Sequence, residues 1–227
     1  MKLWSEGGNG LSPGRRGAIS SGSMKIYLIR HGETELNAAR VLQMPGTPLS
    51  ARGEEQARRL AAHLREVDIV HVLTSDFTRA EQTAIPLQRA AGATLQREPL
   101  LQERNFGDLR GTAYADLSED PFAPGFSPPG GESEAVFEKR VAAAWDRVIE
   151  LAVGLSGSLA VVTHGLVCRG VLSHHVEKAA GSKTPDSPLS FRNTSFSVIE
   201  GQAPWRLLEV GRADHMEDLG AADGAPV

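Results

Sequence analysis

Cysteine is nearly absent: the 227-residue chain contains one, Cys168. An intrachain disulfide framework is excluded, redox chemistry is not expected, and the composition fits a reducing, cytoplasmic setting. No run approaches the roughly 20 apolar residues that a membrane helix requires, and residues 1–23 lack the apolar core of a secretory signal, so a soluble protein is expected. Positive charge is not in excess either, with 24 Lys and Arg against 28 Asp and Glu and a formal net charge of -4. No global basic field recruits nucleic acid or an anionic membrane; any positive potential must be local. Metal-site motifs are also missing: there is no H-E-x-x-H, no Cys/His ligand set and no dense Asp cluster suited to Mg²⁺. Neither an internal repeat nor an interdomain linker is visible, and the 41% of hydrophobic residues suffices for one sizeable core.

The leader MKLWSEGGNGLSPGRRGAISSGS, residues 1–23, is rich in Gly and Ser and has no periodicity. It cannot bury enough apolar surface to offset its ordering entropy, so it is expected to be disordered or to precede the true start at Met24. Its GLSPG at 10–14 fits a nucleophile elbow as text only, because such a serine must sit between a strand and a helix. From Met24 onward, short apolar runs alternate with helical patterns, the signature of βαβ units. We therefore expect an α/β fold, a three-layer α/β/α arrangement around a doubly wound, mostly parallel sheet, over residues 24–212, with a loose tail at 213–227.

The spacing predicts strands at Lys25–Ile29, Ile69–Leu73, Thr94–Gln96, Leu159–Val162, Phe196–Ile199 and Trp205–Val210, the last two paired through a turn containing Gln202. Helices are predicted after a Ser50 cap, from a Thr78/Glu81 capping box to about Ala90, along the Phe137, Val141, Trp145, Val148 stripe to about Val153, and from about Leu166 to Val176. Residues 111–131 hold four prolines and four glycines, which marks a loop-rich excursion of the kind that covers sites.

Four separated pieces follow strands: Arg30-His31, Arg79 in TSDFTRAEQT, Glu103 in LLQERNFGDLRG, and His164 in VVTHG. In an open parallel sheet, ligands bind beyond the carboxyl ends of the strands, so all four point at one place. Singly, each has an ordinary explanation as a surface charge or a hydrogen-bonded structural residue. Jointly, two cations and two imidazoles suit a phosphoryl group, because arginine forks match its oxygens. A neutral imidazole nitrogen can act as nucleophile and form a phosphohistidine, and neighbouring arginines disfavour the imidazolium. A carboxylic acid beside the phosphate can then protonate the leaving oxygen.

These residues resemble the histidine phosphatase superfamily, also called the phosphoglycerate mutase-like superfamily. The resemblance rests on Arg30-His31-Gly32-Glu33-Thr34 with Asn37 and Gln43, PLSARGEEQA at 48–57, SDFTRAEQTA at 75–84, Glu103 before FGDLRG, PGGES at 129–133, VVTHG at 161–165 and NTSFSVIE at 193–200. It implies that His31 is the phosphorylated nucleophile, Glu103 the proton donor and later the base for water, and Arg30, Arg79 and His164 the clamp on the transferring phosphoryl. Thr34, Asn37, Gln43 and the backbone at Gly165 and Leu166 would complete the phosphate pocket, with no metal and no other cofactor. Where relatives commonly carry glycine after the glutamine, this chain has Met44.

Cys168 in an apolar helical run reads as a packed core residue, His174-His175 as a pair at a helix C-terminus, and Asn193-Thr194-Ser195 as a glycosylation sequon on paper only. Gly111 to Glu138 contains no Lys or Arg and carries six acidic residues, whereas a mutase must hold a substrate with a second anionic group. The expected activity is thus hydrolysis of a small phosphorylated metabolite, with Tyr114, Phe122 and Phe126 lining the pocket. The alternatives are phosphoglycerate mutase-type transfer and, from another class, a non-catalytic phosphate-ligand binder, which would be expected to have lost His31, Glu103 or an arginine.

Overall fold

Alternation along the first strand sets the layering. A computed structural model describes residues 24–178, 191–201 and 203–219; the leader, the Gln202 turn position and residues 220–227 lie outside them. In β1 (Lys25–Arg30), Ile26 and Leu28 enter one core while Tyr27 and Ile29 enter another, because successive side chains of a strand point to opposite faces. Strands β2 (Ile69–Thr74) and β4 (Ser158–Thr163) divide in the same way, so both sheet faces are covered, as parallel sheets require.

The first core is closed by α4 (Glu134–Val153) and α5 (Gly165–His174), the second by α2 (Ala51–His63) and α3 (Thr78–Ala91). With β3 (Thr94–Arg97), β5 (Glu177–Lys178), β6 (Phe196–Glu200) and β7 (Arg206–Arg212), the sheet runs β3-β2-β4-β1-β6-β7-β5. Its β3-β2-β4-β1 half is parallel, β6 is antiparallel to both β1 and β7, and β5 adds a parallel edge. The expected three-layer, doubly wound α/β architecture is present, with a mixed sheet.

Three local expectations need correction. Helix α3 is capped by Phe77, not through a Thr78/Glu81 box. The Ser75 hydroxyl tightens the turn by accepting from Phe77 N, and Glu81 is claimed by Arg97 across the layer. Helix α5 stops at His174, short of Val176, because the chain leaves to pair β5 with β7. Residues 213–219, expected within a loose tail, contain a 3-10 turn at Asp214–Leu219. That turn buries Met216, receives Arg52 Nη1 on the Leu219 carbonyl at 2.7 Å, and sets the His215 ring beside His63 and Phe196. Six residues carry no periodic signal, so only the tertiary contacts reveal it.

Close backbone approach fixes the loop after β1. A Cβ on Gly53 would lie 2.0 Å from the Glu33 carbonyl oxygen, and one on Gly32 would lie 2.8 Å from the Gly53 carbonyl oxygen. The N-terminus of α2 thus presses on residues 32–33, where Glu33 N donates to Gln56 Oε1 and Ser50 N donates to the Glu33 carbonyl. The covering segment is joined likewise: Gly107, at φ +52, lies where a Cβ would be 2.1 Å from the Pro129 carbonyl oxygen.

Gly53→Ala is expected to lower stability by about 1–3 kcal/mol, the usual cost of overpacking, read as a lower urea midpoint; an unchanged midpoint would show that the loop can withdraw. Burial, and then the charge of His63, push the pKa of His215 down to about 4. The unfolded chain therefore binds this proton first, near the ordinary value of 6.5, and the stabilisation held above that pH is lost as pH falls toward 4. Melting temperature should fall less steeply between those limits in His215→Gln than in the wild type; parallel curves would refute the assignment.

Candidate active site

Strand register brings the dispersed residues together. Arg30 pairs with Thr163 across β1/β4, and Thr74 pairs with Val162 across β2/β4. His31, His164 and Ser75 consequently follow one another at neighbouring strand ends. The His31 and His164 rings lie 5.1 Å apart, and His164 Nε2 is 2.9 Å from Ser75 Oγ. The first turn of α3 adds Arg79, and the segment after β3 adds Glu103.

Hydrogen bonding fixes the tautomer of His31. Its Nδ1 is 2.7 Å from the Gly32 carbonyl oxygen, which can only accept, so Nδ1 carries the proton. The lone pair is left on Nε2, where Arg79 Nε donates at 3.3 Å. Burial first, then the charges of Arg79 and Arg30, hold the His31 pKa well below the usual histidine value. His164 is depressed in the same direction, by burial first and then by Arg79. The pair is neutral near pH 7, with an unprotonated His31 Nε2 facing the cavity.

The surrounding charge favours an anion. Arg79 is 1% exposed, and its partners are the His31 ring and the Met44 carbonyl, both neutral. Burial pushes its pKa down to about 10, so it is still a cation at neutral pH, placed at a helix N-terminus where the macrodipole disfavours it. Burying an ion costs several kcal/mol unless it is compensated. Arg30, 2% exposed, is held by the Phe191 carbonyl. A tetrahedral anion in the cavity that both guanidiniums line would compensate Arg79.

Glu103 is oriented by backbone: Oε1 accepts from Arg104 N at 3.0 Å and Oε2 from Leu166 N at 3.2 Å. Of the residues singled out from sequence, Arg30, His31, Asn37, Gln43, Arg79, Glu103 and Leu166 line one small cavity. Three stand behind it. Thr34 caps α1 (Glu35–Ala38), accepting from Asn37 N and donating to Gln43 Oε1; His164 backs His31; Gly165 opens α5. Leu166 N is engaged by Glu103 rather than left for a phosphate. Tyr114 and Phe122 also line the cavity, but Phe126 does not; its carbonyl accepts from Arg104 Nη2. Cys168 is buried and burial raises its thiol pKa, as befits a core residue.

Sequence reasoning missed several participants. Asn193, read as part of the NTSFSVIE motif and as a sequon on paper but given no role at the site, is fully buried and donates through Nδ2 to the His31 carbonyl at 3.1 Å and to Asn37 Oδ1 at 3.3 Å. Thr194 takes φ +56, an outlying conformation for a β-branched residue, while its N donates to the His31 carbonyl and its hydroxyl meets His215 Nε2. Their signal was a polar run opening a buried strand. Arg104 and Arg110 also line the cavity; they lie just ahead of the 111–138 stretch whose lack of cations favoured hydrolysis, so that stretch alone understates the local positive charge.

Fold and site together define an α/β protein with two buried arginines beside a neutral histidine at its strand ends. The family model for the histidine phosphatase superfamily (branch 1) matches residues 26–210, and the chain belongs to that superfamily. A Yersinia enterocolitica protein described as "Probable phosphoglycerate mutase GpmB" is 33% identical over 199 residues, covering 80% of this chain and 87% of its own. The structure of Bacillus stearothermophilus YhfR matches with TM-score 0.74 at 24% identity, over 86% of this chain and all of its own. A mycobacterial glucosyl-3-phosphoglycerate phosphatase complexed with VO3 matches with TM-score 0.69 at 22% identity, over 84% of this chain and all of its own. At these identities the two structures share the fold.

Inorganic phosphate at about 100 times its Kd is expected to stabilise the protein by about 2.7 kcal/mol, and Arg79→Ala to remove most of that gain. Thermal melts at constant ionic strength check this; an equal shift in the variant would place the anion elsewhere.

Proposed function

We propose that this chain is a metal-independent phosphomonoester hydrolase that works through a phosphohistidine at His31 on a small phosphorylated metabolite. The observation that carries the reading is the fixed His31 tautomer, with Nδ1–H tied to the Gly32 carbonyl and Nε2 unprotonated beside the Arg79 guanidinium. In the first step, Nε2 attacks phosphorus while the bond to the leaving oxygen breaks and that oxygen takes the proton of Glu103. In the second, Glu103 removes a proton from water, the hydroxide oxygen attacks phosphorus, and the P–N bond breaks to release phosphate and restore the imidazole. Arg30 and Arg79 neutralise the phosphoryl oxygens throughout.

Hydrolysis is favoured over transfer by access and by charge. The cavity adjoins two wide clefts of about 490 and 610 Å³, and the 111–138 cover holds no Lys or Arg. Arg104 is already committed to the carbonyls of Phe126 and Glu132. A mutase-type transfer is the second reading, favoured by the presence of Arg110 at the cavity and by the name of the Yersinia relative.

An aryl phosphate should be hydrolysed in the presence of chelator, and His31→Ala should abolish both turnover and the acid-labile phosphoenzyme. Glu103→Gln should slow alkyl phosphates by roughly 10²–10⁴ and nitrophenyl phosphate less, because nitrophenolate leaves without a proton. Phosphoenzyme label surviving in His31→Ala would sink the assigned nucleophile. Mutase turnover comparable to hydrolysis would overturn the hydrolase assignment, and ligand binding without any turnover would favour the non-catalytic binder.

A further inference from the structure

Among the described residues that line the small cavity, Arg110 is the cation with no assigned task. Its neighbours are committed: Arg104 donates to two carbonyls, and Arg140 forms a bidentate pair with Glu132 and reaches the carbonyls of Leu100, Gln102 and Glu103. The Arg110 guanidinium makes no hydrogen bond or ion pair with any described residue, although the side chain is partly buried. It is also close enough to Arg79 for their like charges to depress the Arg79 pKa.

The backbone that carries Arg110 is held on both sides. Arg110 N closes the turn onto the Gly107 carbonyl, Gly111 N donates to the Leu42 carbonyl at 2.7 Å, and Leu42 N donates back to Thr112 at 3.0 Å. Two residues earlier, Asp108 N donates to the Pro129 carbonyl at 2.9 Å. The cation is thus presented from a fixed loop, at low ordering cost on binding.

Its position says what it can meet. Three clefts border the phosphoryl cavity, and the one of about 440 Å³ shares Tyr114 and Phe122 with it but not Glu103. The one of about 490 Å³ shares Arg104, Phe122 and Leu166 with the cavity but does not include Glu103. The one of about 610 Å³ shares Phe77, Glu103 and Arg110. A leaving oxygen that takes its proton from Glu103 directs its substituent into this last cleft, past Arg110. The acids of that cleft each have a donor: Asp76 has Gln102 Nε2, Glu132 has Arg140, and Glu103 has Arg104 N and Leu166 N.

We propose that Arg110 is a specificity-determining residue that binds a second anionic group, a carboxylate or a second phosphate, on the alcohol portion of a small hydrophilic phosphomonoester. This rests on the hydrolase reading for the direction in which the alcohol leaves. Such an anion would lie beside the uncommitted guanidinium while the phosphoryl lies between Arg30 and Arg79, so two like charges near each other each acquire a counter-charge.

The test compares 3-phosphoglycerate with glycerol 3-phosphate, which share a three-carbon skeleton and differ by the carboxylate. Calorimetry should give the wild type a Kd about tenfold lower for the carboxylate compound, the size of one charge-assisted hydrogen bond. Arg110→Gln should bring the ratio near one, Arg110→Lys should restore part of it, and Arg110→Glu should shift preference toward phosphoethanolamine. A wild type without preference, or a ratio unchanged in Arg110→Gln, overturns the proposal; an equal loss for both compounds overturns it too, by showing that Arg110 acts on the phosphoryl. The hydrolase reading fails separately, by absence of aryl phosphate hydrolysis in the wild type, and the Kd ratios still decide on Arg110.

Discussion

Two buried guanidiniums beside a histidine are the constraint around which this structure is arranged. Arg30 and Arg79 are each almost wholly removed from water, and together with burial they keep His31 unprotonated. Among the described residues Arg79 has no carboxylate in hydrogen-bond or ion-pair contact and is steadied by the Met44 carbonyl, while Arg30 donates to the Phe191 carbonyl. Carbonyl dipoles soften the burial of a cation without cancelling it. The site therefore favours an anion and holds His31 neutral, with Nε2 unprotonated.

Positioning that charge requires rigid surroundings, and the structure supplies them through backbone. The loop carrying His31 is pressed by Gly53 from α2 and bonded by Asn193 and Thr194 from the start of β6. Thr194 is strained in the left-handed region, a cost of order 1–3 kcal/mol, and the C-terminal turn meets its hydroxyl through His215. The segment after Glu103 is locked to the cover where Gly107 meets Pro129. His31 and Glu103 therefore sit on separately braced loops.

Much of this was legible beforehand because periodicity reports burial. The alternating strands, the Phe137-to-Val148 stripe and the Ser50 cap all appear in the structure as the pattern implies. Site membership was legible because Arg30, His31, Arg79, Glu103 and His164 each follow a strand, and a parallel sheet gathers strand ends. The Thr78 cap was misread because the helix is capped one residue earlier, where the Phe77 carbonyl accepts from Ala80 N and Glu81 N. No role was assigned to Asn193 or Arg110, although both lie in quoted motifs, because such a role depends on a partner 162 residues away, for Asn193 and His31, or on a cleft that local sequence does not describe.

The sequence by itself determined the layering, the order of elements and the kinds of side chain delivered to one sheet edge, since each follows from local periodicity and from the chemistry of Arg, His and Glu. Tertiary structure decided which imidazole nitrogen is unprotonated, which cations at the cavity are already engaged, and that Arg110 lines both the cavity and a neighbouring cleft. Those properties depend on burial and on hydrogen bonds between distant segments, such as Arg79 to the Met44 carbonyl and Arg104 to the Phe126 carbonyl. Such contacts form only when the chain is folded, and no run of neighbouring residues encodes them.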